Sequence, residues 1–347
     1  MNTLYRHTII SVLIIFFCAC GVKKYLPPGE KLYSGARISV KLAPGVKEKK
    51  PVLAKKLGEL TKPKRNKKFL GRYNKVWWWY VIGESTKQKG FKHWLREQLG
   101  EEPVFFSTVD TGWNAQNIQM FLANDGYFNS QVSADTVARG YKVKAVYRVH
   151  VERPYLLDEV AWRLDSSDLS KEIVRLPLRE SALRKGQRYD TDVIKAEAQR
   201  VSNLLKEKGY YYFKHDDILT LVDTNQNNHT ASVFIGVEPK ISPRHKVPFS
   251  INRIVTVVQH PRSTDSAATS MVIKDNIHVD DAEKKFKPVI FPRAITYRPG
   301  NLYSLPEQNR SISRLNSYGV FRFIRSEFKP APGKNNMLDV YYYANPS

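Results

Sequence analysis

The apolar positions along the chain change period in a repeating order. Before Gly126, Gly209 and Gly319 they recur at helical spacing, and after each glycine the chain turns aromatic or β-branched and extended. Ile118, Phe121 and Leu122 share one face in the first case, and Ile194, Ala198, Val201, Leu204 and Leu205 in the second. Ile312 and Leu315 do so in the third. Recurrence at i, i+3 and i+4 predicts an amphipathic helix with one buried stripe. A glycine then reaches the left-handed backbone conformation without a Cβ penalty and stops the helix. "FLANDGYFNSQV", "LLKEKGYYYFKHD" and "RLNSYGVFRFIR" are three versions of one stop, so the chain is first of all an internal repeat.

Period-two runs complete each unit. In "KVKAVYRVHV" the inward set is Val143, Ala145, Tyr147, Val149 and Val151; in "TASVFIGV" it is Ala231, Val233, Ile235 and Val237; in "MLDVYYYAN" it is Leu338, Val340 and Tyr342. Such alternation predicts strands with one face on a core. Each is expected to pair with the strand that starts at the aromatic after the glycine, over 127–137, 210–222 and 320–328. Opening strands are expected in "ARISVKL", "YLLDEVAWRL" and "INRIVTVVQH". Asp190 in "GQRYD" and Ser304 in "GNLYS" stand where a side-chain oxygen caps a helix, Ser304 with Glu307 as a capping box, and Ser107 in "EEPVFFS" is the looser equivalent. A shorter helix is expected within 167–176 or 180–185.

Every unit thus reads strand, helix, helix, strand, strand. The predicted fold class is α+β: three tandem β-α-α-β-β domains, each with two helices on a three-stranded mixed sheet. The boundaries fall at 21–152, 153–241 and 242–347. A basic, Trp-rich stretch over 46–94 enlarges the first domain, and "HPRSTDSAATSMVIKDNIHVDDAEKKFKP" delays the helix of the third.

The opening "MNTLYRHTIISVLIIFFCACGVKK" reads as a targeting segment over 1–20. Its apolar run, 8–19, is shorter than the roughly 20 residues that cross a bilayer. Ala19 before Cys20 and Gly21 after it resemble a bacterial lipobox, with Cys20 as the acylated residue; an uncleaved signal anchor is the alternative. Gly-Val-Lys-Lys follows without acidic residues, which points to the periplasmic side of the outer membrane.

The chain has 347 residues and a formal net charge of +23, much of it local: residues 46–75 hold twelve Lys or Arg against two Glu, and "VWWWY" follows. Export removes nucleic acid as the partner of this charge and leaves anionic headgroups or an acidic protein face. Lys64, Arg65, Lys67, Lys68, Arg72 and Lys75 form the candidate basic patch; the alternative is a solvated loop whose tryptophans turn inward. Eight histidines are scattered singly, and neither a metal-ligand spacing, a nucleophile elbow nor a phosphate loop is present. No enzyme activity and no cofactor is expected.

Seven segments in order, "KKYLPPGEKLY", "LGEEPVFFS", "FLANDGYFNSQV", "RPYLLDEV", "LLKEKGYYYF", "RPGNLYSL" and "RLNSYGVFRF", resemble the POTRA domains of the Omp85 superfamily, in the lipoprotein form of the TamA-like assembly proteins called TamL. The resemblance covers essentially everything after Cys20. It implies a periplasmic scaffold for outer-membrane protein assembly or translocation, with unfolded outer-membrane clients and a TamB-like, periplasm-spanning partner or barrel-assembly components. It also implies capture by β-augmentation on the strand after the second helix, here carried by Tyr127, Phe128 and Val132, by Tyr210, Tyr212 and Phe213, or by Val320, Phe321 and Phe323. The large barrel that follows the third domain in that family is not expected in these residues, and a lipid-tethered adaptor working through 46–75 is the competing reading.

Overall fold

The computed structural model of the protein describes residues 21–68, 74–84, 90–259 and 271–347. Cys20 and Arg72 lie outside them. The chain divides into two compact units, Met1–Tyr155 and Leu156–Ser347.

The first unit runs β1 (Leu32–Leu42), α1 (Lys50–Leu60), α2 (Asn74–Ile82), α3 (Phe91–Leu99), α4 (Thr111–Asn124), β2 (Gln131–Arg139) and β3 (Lys142–Val151). Its sheet has the order β1-β3-β2, with β1 parallel and β2 antiparallel to the central β3. The alternation in β3 is realised in full: Val143, Ala145, Tyr147, Val149 and Val151 are all buried. Leu53 and Leu57 of α1 and Ile118 and Leu122 of α4 close over that face, so these two helices are the ones the sheet needs. α1 lies inside the stretch read from sequence as a basic insertion. Its leucines at i, i+4 and i+7 face the core while its lysines stay in water, and a lysine-rich amphipathic helix hides its stripe behind its charge. Only α2 and α3 are additional; α2 packs its Val76 with Val22 and Leu32, and Trp77, Tyr80 and Tyr141 border that small cluster.

The second unit contains two sheets. β4 (Leu156–Trp162), α5 (Asp168–Arg175), α6 (Thr191–Glu207), β5 (Ile218–Asn225) and β6 (Thr230–Val237) form the first, of order β4-β6-β5. The second comprises β7 (Ser250–Val258), β8 (Met271–Lys274), β9 (Ile277–Asp280), α7 (Ile290–Ala294), α8 (Leu305–Ser317), β10 (Phe321–Pro330) and β11 (Met337–Pro346), in the order β10-β11-β7-β9-β8. The fold is therefore α+β, with three mixed sheets, and each module keeps a parallel first strand beside the last strand and an antiparallel strand beyond. The third sheet has five strands where three were expected. The extra pair is the hairpin β8–β9 within the insertion, turned by Asp275 and Asn276 at φ 50° and 63°. Positive φ at both central residues gives a two-residue turn the same twist as the strands it joins.

The three glycines do stop helices, at φ 87°, 99° and 68° for Gly126, Gly209 and Gly319. Capping departs from expectation in two of three cases. Asp190 accepts from the amides of Asp192 and Val193 as predicted. In the first module the cap is Asp110, which accepts from Trp113 N at 2.8 Å, while Ser107 donates to the Glu30 carboxylate. Ser304 makes no side-chain cap, because Pro306 lacks one of the amides its hydroxyl would reach and the Tyr297 hydroxyl holds the Ser304 backbone instead.

Candidate docking edges and a basic cleft

Strands β2, β5 and β10 are each the last strand of their sheet, and hydrogen-bond parity shows which backbone groups they leave open. In the first sheet Val151 O accepts from Ala43 N at 2.9 Å, so the odd-numbered residues of β3 turn toward β1. The even-numbered ones then serve β2, where Gln131, Ser133, Asp135, Val137 and Arg139 are their partners. Val132, Ala134, Thr136 and Ala138 point their amides and carbonyls outward. By the same parity, Ile235 O accepts from Arg163 N at 2.8 Å, which leaves Ile218, Thr220, Val222 and Thr224 of β5 facing outward. In β10 the outward row is Ile324, Ser326 and Phe328, followed by Pro330, which has no amide to offer. β2 and β5 pair with their neighbours without a break in register, whereas β1, β4 and β10 each carry a bulge. Bulges blunt an edge. Of the three edges that follow a second helix, the continuous ones are therefore β2 and β5; β8, the far edge of the third sheet, is also unbroken but only four residues long.

Of the residues assigned from sequence to these edges, Val132 stands on the open row of β2. Phe321 and Phe323 lie on β10, where Phe323 is exposed and pairs inward with Asn345, and Val320 is exposed just before it. Tyr127, Phe128, Tyr210, Tyr212 and Phe213 are not on strands. The aromatic segment after Gly126 or Gly209 is a turn, and in the second module the short 3-10 helix His215–Asp217 still intervenes before β5. Burial is the reason: Tyr127, Tyr210 and Phe213 are fully or nearly fully packed inside, which an edge strand in water does not permit. These aromatics hold the residue that precedes the next strand. Tyr155 N donates to Gly126 O at 2.8 Å, and the Tyr155 ring meets Phe128 edge-on at 5.0 Å. Phe249 N donates to Gly209 O at 2.9 Å, and the Phe249 ring meets Tyr212 at 5.1 Å. In the first two modules the signature marks a clasp, and in the third it starts the strand β10.

The basic patch is dispersed. Lys64 Nζ donates to Gly58 O and Glu59 O, closing the C-terminal end of α1, where a cation complements the helix dipole. Asn66 is buried, with its amide on Glu102 O and its carbonyl oxygen on Val104 N, and so anchors the run. Lys67 places its backbone amide on Glu101, and Lys75 stands exposed in the first turn of α2. Arg65 lays its stem across Gly35, a bulge position at φ 105° where an added Cβ would come within 2.9 Å of Arg65 Cδ. Lys68 reaches the outer face of the first sheet. There Arg37, Lys68, Arg139, Lys142 and Lys144 line a cleft of about 310 Å³ with Ser34, Val137 and Val146. The Lys68 ammonium is held below its ordinary pKa by partial desolvation and by the neighbouring charges of Arg65, Lys142 and Lys144. Of these residues the sequence reading named only Arg65 and Lys68; Arg37, Arg139, Lys142 and Lys144 join them through strand register, which places Arg37 opposite Val146 and Arg139 opposite Lys142.

No family model and no curated protein matches the chain. Among solved structures it is similar to BamA POTRA3-5 of Haemophilus influenzae, at 16% identity over 92% of this chain and 99% of that one, with a TM-score of 0.46. It is similar to BamA from Haemophilus ducreyi lacking POTRA domains 1-3, at 16% identity over 56% of this chain and 30% of that one, with a TM-score of 0.39. It is also similar to POTRA1-3 of the periplasmic domain of Omp85 from Anabaena, at 11% identity over 92% and 96%, with a TM-score of 0.27. Each of the three modules has the order strand, helix, helix, strand, strand, with α2 and α3 added in the first and a hairpin inserted after the first strand of the third.

Among the described residues no three His, Cys, Asp or Glu side chains stand together to hold a metal ion, and no helix is long and apolar enough to cross a membrane. The modules expose backbone on the edges β2 and β5 and positive charge on one sheet face.

Proposed function

We propose that the chain is a periplasmic scaffold for outer-membrane protein assembly or translocation. It is tethered through Cys20 to the outer membrane and receives extended segments of unfolded clients, or of a TamB-like partner, on its sheet edges. The observation that carries this reading is the pair of unbroken outward rows, Val132–Ala134–Thr136–Ala138 and Ile218–Thr220–Val222–Thr224. An incoming strand satisfies such rows through main-chain hydrogen bonds and is selected little by its sequence, which suits a scaffold with many clients. β2 carries mostly polar and short side chains on a largely exposed surface and so resists indiscriminate pairing, whereas β5 exposes Leu221 and Val222.

A proline at an outward position removes one donor from the docking row and leaves the sheet's own ladder intact. The double variant Ala134→Pro with Thr220→Pro should bind a labelled, unfolded peptide of alternating apolar and polar residues about tenfold more weakly, the effect of one or two backbone hydrogen bonds. Circular dichroism should match the parent. Undiminished peptide affinity in this folded double variant would refute edge capture.

A further inference from the structure

The outer face of the first sheet has an excess of charge that edge docking does not use. Along β3 the outward side chains are Lys142, Lys144, Val146, Arg148 and His150; β1 adds Arg37 and Lys41, and β2 adds Arg139. The nearby carboxylates are Asp135, held by Arg148 at 2.9 Å, and Glu152, 3.4 Å from His150. No ion pair joins Arg37, Arg139 or Lys144 to a described carboxylate, although all three side chains are exposed. Gly35 permits the crossing of Arg65, and the buried Asn66 fixes the run that brings Lys68 over the sheet. Cations are thus gathered by the fold at a cost in mutual repulsion, and an anion in the cleft would relieve it.

We propose that this cleft binds the phosphate groups of anionic lipid headgroups at a membrane surface. Three observations favour a lipid surface over a dissolved anion. The hairpin turn between β2 and β3 carries Tyr141, which borders the cluster of Val22, Leu32 and Val76 together with Trp77 and Tyr80; Arg139 and Lys142 of the cleft flank that turn. Trp and Tyr beside basic residues are the composition of a membrane-water boundary. α3, which packs on α2, exposes Phe91 and Trp94 at 77% and 55%, with their rings stacked at 5.9 Å, so the same unit also carries exposed aromatic surface. Finally, Val22 is buried at this end of the sheet, two positions in sequence after Cys20, the proposed lipid anchor. The cleft then orients the first module on the headgroups. This assignment does not depend on edge capture of clients, and it moves the membrane contact from the linear run 46–75 to a face built by three strands.

The test is flotation of the full chain with phosphatidylglycerol vesicles and with phosphatidylcholine vesicles. The difference between the two isolates charge from any apolar insertion. Arg37→Gln with Lys144→Gln should weaken binding to the anionic vesicles about 30-fold, at about one decade and a half for two surface cations, and leave binding to neutral vesicles unchanged. Arg37→Lys with Lys144→Arg should retain it, which excludes a folding defect. Lys195→Gln with Lys208→Gln, the same loss of charge at exposed positions of α6 and its C-terminal cap, should change it less than about twofold. Equal losses in the two charge-removing pairs would reduce the effect to net charge and overturn the site. Displacement from vesicles by low millimolar inorganic pyrophosphate would make it a soluble-phosphate site, and binding of polyglutamate as tight as that of vesicles would make it a protein dock; either result overturns the membrane assignment.

Discussion

Three glycines that look equivalent in the chain carry different loads in the molecule. At Gly319 an added Cβ would meet nothing within 4 Å, and the only obstacle to a side chain is the φ of 68°. At Gly209 the φ is 99° and the Cβ would stand 2.9 Å from Pro248 Cβ and 3.3 Å from Leu302 Cδ2. The Gly209 carbonyl also receives Phe249 N, so the backbone cannot retreat without breaking the clasp between the second and third sheets. Gly319→Ala should therefore cost about 1–2 kcal/mol, the left-handed penalty alone. Gly209→Ala should cost a further 1–3 kcal/mol or so from overpacking. Urea unfolding of the two variants measures the difference. Equal costs would mean that the close approach to Pro248 is not a constraint.

At the scale of elements, the same lesson applies to caps and edges. Asp190→Ala should lose about 1 kcal/mol, because its carboxylate serves two first-turn amides of α6, whereas Ser304→Ala should lose little, since Tyr297 and Pro306 have replaced its function in α8. Thermal melts of the pair report this, and a larger loss for Ser304→Ala would contradict it. The long helices and central strands were legible because each is recorded by many residues in one period: five consecutive inward positions define β3. The third edge strand begins within one residue of its expected start, whereas the first two were misplaced by several residues, because the aromatics after Gly126 and Gly209 have strand-like chemistry but are used for packing, as the burial of Tyr127, Tyr210 and Phe213 shows. Two elements left a signal that was passed over: Leu53, Leu57 and Leu60 at heptad-like spacing for α1, and "VIKDNIHV" around an Asp-Asn turn for β8 and β9. The cleft left none. Arg37, Lys68, Arg139 and Lys144 are far apart in the chain, and only the register of β1, β3 and β2 makes them neighbours.

For the whole molecule, the question is how many cooperative pieces three modules make. Each sheet has its own core, yet the second and third modules are tied within one compact unit. Tyr211 of the second module lies against Tyr303 at 4.8 Å and Phe328 at 5.2 Å and packs on the buried cluster of the third. His245, in the segment between β6 and β7, bonds Asp217 at 2.8 Å and stacks on Tyr212. An apolar seam with backbone and charged supports should make the two modules melt together, separately from the first unit, so calorimetry should show two transitions. Leu57→Ala empties a fully buried position in the first unit and should lower one transition on the order of 10 °C. Tyr211→Ala removes the ring that the second module packs on the third core and should lower only the other. If the parent already melts in three steps, or if Tyr211→Ala leaves both temperatures in place, the seam is a contact without cooperative weight and the modules are separate beads. If Leu57→Ala moves both transitions equally, the division between the two units is the part that fails.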